Sequence, residues 1–174
     1  MPYATPQQVI AEFGLKEVTQ LLADEQGLLT ELLLTDAIAV ASGGLWTGNP
    51  SALEIAAAQT ALARFVRKID TQSNFMDGFL RSAVTLPLAA GDANAGTLNE
   101  CCMALTRCGL SDDPDNATER MDTSCATWRS WLRDVARGTV QLVNPAGQAV
   151  AGKSRIRSGQ AGSGYDWDAH RAAR

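Results

Sequence analysis

The sequence predicts a mainly α-helical fold: a small bundle built around one long helix, with a short strand, hairpin or extended segment at residues 139–143 and an extended C-terminal arm. Three observations predict it. Apolar side chains recur at steps of three and four through most of residues 6–137, the spacing that places them on one face of a helix. Aromatic residues make up 6% of the chain while alanine and leucine run throughout, which favours helix-on-helix packing over a sheet of β-branched and aromatic side chains. Four segments carry a side-chain oxygen followed three residues later by Glu or Gln, a pattern that satisfies exposed amide donors in the first turn of a helix.

The first helix opens at Thr5 with Gln8 and has Pro6 at its first position, where the missing N–H costs nothing; Gly14 closes it after Phe13. Residues 15–22 form a second short helix. The run Leu28-Leu29-Thr30-Glu31-Leu32-Leu33-Leu34 suits either a helix or a buried strand, because its length does not arbitrate. After the loop Gly43-Gly44-Leu45-Trp46-Thr47-Gly48-Asn49-Pro50, Ser51 with Glu54 opens the longest helix. Its stripe runs Ile55, Ala58, Leu62, Phe65, Val66, Ile69, Met76, Phe79 and Leu80, with a kink expected near 71–74 or at Gly78. Thr97 with Glu100 opens the next, striped by Leu98, Cys101, Cys102, Leu105 and Cys108 and stopping at Gly109. Asn116 with Glu119 opens the last, striped by Met121, Cys125, Trp128, Leu132 and Val135 and stopping at Gly138. Arg133 and Arg137 lie near its C-terminus, where cations suit the helix dipole. Alternating steps of three and four favour nearly antiparallel packing of the long helices.

With 174 residues and 45% apolar side chains the chain has room for one domain with a proper core. We read residues 1–143 as the helical body, with 24–60 as an insertion or loop region, and 144–174 as a flexible arm too poor in large apolar groups to form its own core. The arm carries five basic residues (Lys153, Arg155, Arg157, Arg171, Arg174) against two acidic ones (Asp166, Asp168), a charge of +3; the rest, with ten basic against seventeen acidic, is −7. An acidic body with a basic arm suggests complementarity between neighbouring copies or with an acidic partner, and is equally compatible with a solvated tail. Ile156, Tyr165 and Trp167 are isolated anchors of the kind that dock into a partner's pocket; a frayed terminus with incidental aromatics is the plainer alternative. The candidate contact residues are therefore Trp46, in its exposed-looking loop, and Arg155, Ile156, Arg157, Tyr165 and Trp167 in the arm. No charged segment followed by an apolar one opens the chain, and no apolar run approaches the roughly 20 residues that span a bilayer, so the expectation is a protein made and used in the cytosol.

No reactive constellation stands out. The single histidine, His170, lies in the arm, where a general base is not held in place. Cys101, Cys102, Cys108 and Cys125 lack paired CxxC spacing and are read as buried reduced thiols acting as small apolar residues. Asp112, Asp113 and Asp115 lack the glycine and terminal glutamate of a calcium loop, and no GxxxxGK[ST] or GxGxxG is present to cradle phosphate. Asp77 is read as a helix-surface carboxylate. The expectation is a non-enzyme with no metal and no cofactor.

Three segments, taken in order, carry a resemblance. The opening Tyr3-Ala4-Thr5-Pro6-Gln7-Gln8-Val9-Ile10-Ala11-Glu12-Phe13-Gly14-Leu15-Lys16-Glu17-Val18-Thr19-Gln20-Leu21, the central Met76-Asp77-Gly78-Phe79-Leu80 with Leu86-Pro87-Leu88, and the closing Trp131-Leu132-Arg133-Asp134-Val135-Ala136-Arg137-Gly138-Thr139-Val140-Gln141-Leu142 resemble elements of a family of Mu-like phage and prophage structural proteins. The resemblance covers most of residues 3–143; residues 24–60 are longer and richer in leucine and alanine than the family's short acidic loop, and the arm has no counterpart. It implies a virion protein of the head–tail junction. Such an adaptor forms a ring of twelve copies between the portal protein and a downstream stopper or tail-completion protein, and genomic DNA passes through it without specific binding or any membrane. The competing reading is a cytosolic helical dimeric regulator with a basic nucleic-acid-contacting tail, which salt-dependent DNA binding would favour.

Overall fold

The computed structural model describes residues 2–23, 26–88, 91–111 and 118–143. They form six helices, α1 (Pro6–Phe13), α2 (Leu15–Leu22), α3 (Glu31–Val40), α4 (Ala52–Leu80), α5 (Ala95–Leu110) and α6 (Glu119–Arg137). The mainly helical bundle with one long helix that the sequence predicts is the observed architecture. α4, 29 residues long, touches each of the other five helices, most extensively α3, α5 and α6, and α5 and α6 also pack against each other. Its buried face is Ala58, Ala61, Phe65, Ile69, Ser73, Met76 and Leu80, a run of three- and four-residue steps that keeps one stripe inward for about 33 Å of helix.

Local chemistry explains most boundaries. Thr5 accepts from Gln8 N–H while the Gln8 side chain accepts from Thr5 N–H, and Ser51 and Glu54 do the same at the start of α4. The backbone and hydroxyl of Ser51 hold the Glu54 carboxyl below its ordinary range. Gly14 ends α1 at φ 90°, and Gly138 ends α6 at φ 76°, where the Gly138 N–H reaches Val135 O and the Thr139 N–H reaches Asp134 O. That paired closure, which a side chain at positive φ would strain, turns the chain back on the helix. Of the two readings of 139–143 it removes the strand: the Thr139 and Val140 N–H groups are both spent on Asp134 O, and among the described residues no strand forms.

Other expectations are corrected. The 28–34 run is neither all strand nor all helix: Thr30 accepts from Leu33 N–H and starts α3 there, leaving Leu29 buried in the preceding turn. α5 begins at Ala95 with Asn94 as its N-cap, three residues before the expected cap Thr97. Thr118, not Asn116, caps α6 by accepting from Met121 N–H; Asn116 itself lies outside the described residues. α4 runs without interruption through 71–74 and Gly78. Gly109 does not stop α5, which continues to Leu110; a Cβ there would sit 2.8 Å from Lys68 Cδ and 3.0 Å from Gln72 Nε2, so this glycine lets α5 approach α4.

The thiols divide. Cys101 and Cys102 are buried and free, as expected, and burial pushes the Cys101 thiol up to about 12. Cys108 and Cys125 are joined in a disulfide between α5 and α6, with Cα atoms 6.3 Å apart, contrary to the reading of four reduced cysteines. Sequence spacing could not show that the two helices bring these positions face to face.

Candidate functional site

A concavity lies where the N-terminal segment, the end of α4 and the chain after it come together. Tyr3 is fixed from three sides. Its N–H donates to Ser73 Oγ at 3.1 Å, its carbonyl accepts from Asn99 Nδ2 at 2.7 Å, and its hydroxyl donates to Asp77 Oδ1 at 2.5 Å. Ser73 and Asp77 are one turn apart on α4, so a single helix face grips both ends of the residue. Burial, and then the hydrogen bond to Asp77, hold the Tyr3 phenol well above its ordinary range, so it stays a donor.

Beyond Leu80 the chain leaves the helix in a tight turn. The N–H groups of Ala83 and Val84 both reach Leu80 O at 2.8 Å, and Ser82 Oγ donates to Phe79 O at 2.9 Å and to Ala136 O on α6 at 3.3 Å. This turn carries Val84, Thr85, Leu86, Pro87 and Leu88 along the far wall of a groove of about 870 Å³, faced by Pro2, Tyr3, Asp77 and Arg81 and closed by Ala95. The wall is more apolar than polar, and among its described residues Asp77 is the one carboxylate and Arg81 the one cation. Such a lining suits an apolar or aromatic side chain with a polar neighbour.

The root of the arm is fixed next to it. Asn94, 6% exposed, donates from Nδ2 to Val143 O at 2.6 Å and accepts at Oδ1 from Val143 N–H at 3.0 Å. Asp92 Oδ1 orients the amide by accepting from both Asn94 N–H and Nδ2, at 2.8 and 2.7 Å. On the other side of the body Arg107 of α5 pairs with Glu17 of α2 and lies 4.7 Å over the Phe13 ring of α1, tying the two N-terminal helices to the core.

Of the predicted contact residues, Trp46 is half-buried against the core, and the exposed large apolar side chain of that loop is Leu45, 88% accessible. The loop is held to α3 by Asp36, which accepts from Thr47 N–H at 2.8 Å and from the Thr47 hydroxyl at 2.9 Å; packing of Trp46 follows from that anchorage. Arg155, Ile156, Arg157, Tyr165 and Trp167 lie outside the described residues. Trp128 and Trp131 are half-buried and meet edge to face with centroids 5.6 Å apart. Tyr3, Asp77, Arg81 and Asn94 were not predicted as site residues. Tyr3, Asp77 and the Leu86-Pro87-Leu88 wall do fall within the motifs quoted for the phage resemblance.

Among the described residues no group of three or more His, Cys, Asp or Glu side chains converges as a metal site. No helix among them is long and apolar enough to cross a membrane. No curated protein matches the chain. The family model described as bacteriophage Mu, Gp36 matches residues 3–158, a span that starts at Tyr3, takes in the whole groove except Pro2, passes through 24–60 and ends just after Arg157. By that match over most of its length, the chain belongs to the bacteriophage Mu Gp36 family of phage proteins.

Proposed function

We propose that this phage protein is a structural subunit of the virion, an adaptor that assembles as a ring between portal and tail and leaves a channel for the genome. It works by shape and contact and makes or breaks no bond. The observation that carries this reading is the use to which the body's polar side chains are put. Tyr3, Asp77, Asp36, Asn94 and Arg107 each hold one segment of chain against another, and the groove beside Tyr3 offers more apolar than polar surface. A closed ring needs two different complementary faces on every subunit, and an acidic body with a basic arm supplies opposite charges for them. Neighbouring copies, the portal and a stopper or tail-completion protein are then the partners, and DNA passes an acidic wall that does not hold its phosphates.

The test is mass spectrometry of purified particles, with microscopy of the neck, for the full chain and for a chain truncated at Asn144. The full chain should be present at the head–tail junction in ring stoichiometry, and the truncated one should be expressed but missing from particles. Absence of the full chain from mature particles overturns the proposal.

A further inference from the structure

The groove of Tyr3, Asp77, Arg81 and residues 84–88 lies beside Val143, the last described residue before the arm. Val143, held through both its backbone groups by Asn94, is followed by 31 residues, and the neighbour of Asn94, Ala95, closes the groove. From Val143 to Tyr165 the sequence is rich in glycine, alanine and serine, and a coil of that composition and length spans about 26 Å on average, at roughly 5–6 Å times the square root of its residue number. That suffices to return to a site next to its own root. We infer that the Tyr165-Asp166-Trp167 segment of the arm occupies this groove on its own body in the free subunit.

The chemistry matches on each side. A volume of about 870 Å³ falls within the roughly 300–1,000 Å³ of ligand clefts and accommodates two rings. Val84, Leu86, Pro87 and Leu88 offer apolar surface to Tyr165 and Trp167, each of which has about 150–250 Å² to bury. Arg81, exposed on the rim, meets the carboxylate of Asp166 and can lie over an indole face. The other anchor in the arm, Ile156 between Arg155 and Arg157, fits less well: it brings two cations to a groove where the one carboxylate among the described residues, Asp77, already accepts the Tyr3 hydroxyl. Tethering raises the local concentration of the segment to the millimolar range, so weak contacts suffice. The inference concerns the subunit before it meets any partner, and its outcome is independent of whether the protein enters virions.

The experiment uses the dilute full-length chain with a photoreactive benzophenone amino acid in place of Tyr165. Irradiation should give an adduct of monomer mass, mapped to peptides containing residues 81–88, and Leu88→Asp should reduce its yield at least tenfold with helix content unchanged. Should Leu88→Asp fail to fold, Arg81→Glu, at an exposed position, should reduce the yield severalfold. A second readout is tryptophan emission: the component lost in Trp167→Phe should be that of a shielded indole. Adducts of dimer mass, adducts spread over other faces, no adduct, yields indifferent to the groove substitutions, or a solvent-like Trp167 emission each overturn the inference.

Discussion

Cutting the link between Cys108 and Cys125 perturbs the body at a point where the magnitude can be worked from the chain itself. The two residues are 17 apart in sequence, and bridging them restricts the unfolded chain by an entropy of about 2.1 + 1.5R ln 17, near 10.5 cal/mol/K, or about 3 kcal/mol at 25 °C. Their Cα separation of 6.3 Å lies inside the range native disulfides occupy, so little of this is offset by distortion of the backbone. Two routes remove the bridge: the double substitution Cys108→Ala with Cys125→Ala, and reduction of the unaltered protein. Urea unfolding under non-reducing conditions should show a loss of about 3 kcal/mol for the double variant, and thermal unfolding a drop of roughly 6–12 °C for a domain of this size. Reductant should lower the original protein by a similar amount and leave the variant unmoved. Denatured without reductant, the original chain should titrate two thiols, those of Cys101 and Cys102. Four titrating thiols, or a loss below about 1 kcal/mol by both routes, refute the reasoning.

Asn94→Ala removes both hydrogen bonds that hold Val143 and should cost about 1–3 kcal/mol, with hydrogen exchange at the Val143 amide rising well above that of the α6 core. Alkali should destabilise the fold with a defined sign. The Cys101 thiol and Tyr3 phenol are both raised in the folded state, so their contribution is complete below their unfolded values of about 8.5 and 10. It is lost as pH climbs from there toward the folded values. Urea midpoints should therefore be level to about pH 8 and fall above it, and Tyr3→Phe should flatten the part of the fall above about pH 10. A midpoint that rises between pH 9 and 11 refutes the assignment.

What the sequence made legible was governed by neighbours a few residues apart. The boxes at Thr5 and Ser51, the stop at Gly138 and the inward stripe of Ala58, Phe65, Ile69, Met76 and Leu80 all depend on contacts within one or two turns. Where a second local signal competed, the reading slipped: Thr118 outcompeted Asn116 as cap, and the amide of Asn94 was claimed by Val143 rather than by its own helix. Gly109 shows the same limit from the other side. Glycine after a periodic run reads as a stop, but here it makes room for Lys68 and Gln72 on another helix, which no local pattern encodes.

The candidate site belongs to that second class. Tyr3 meets Asp77 across 74 positions and Asn94 meets Val143 across 49, so the groove exists only once α4, α5, α6 and the N-terminal segment are in place. Periodicity marked Asp77 as one more carboxylate on a helix surface, and only the partner contributed by Tyr3 makes it part of a wall. A groove assembled from such distant segments is absent from the unfolded chain, so anything that fills it, whether the arm or a partner, binds the folded body alone and stabilises it in proportion to its affinity. The side chains that hold the groove open are thereby the ones through which docking and folding are coupled. That coupling is what a subunit needs if its contacts are to form only after its fold is complete.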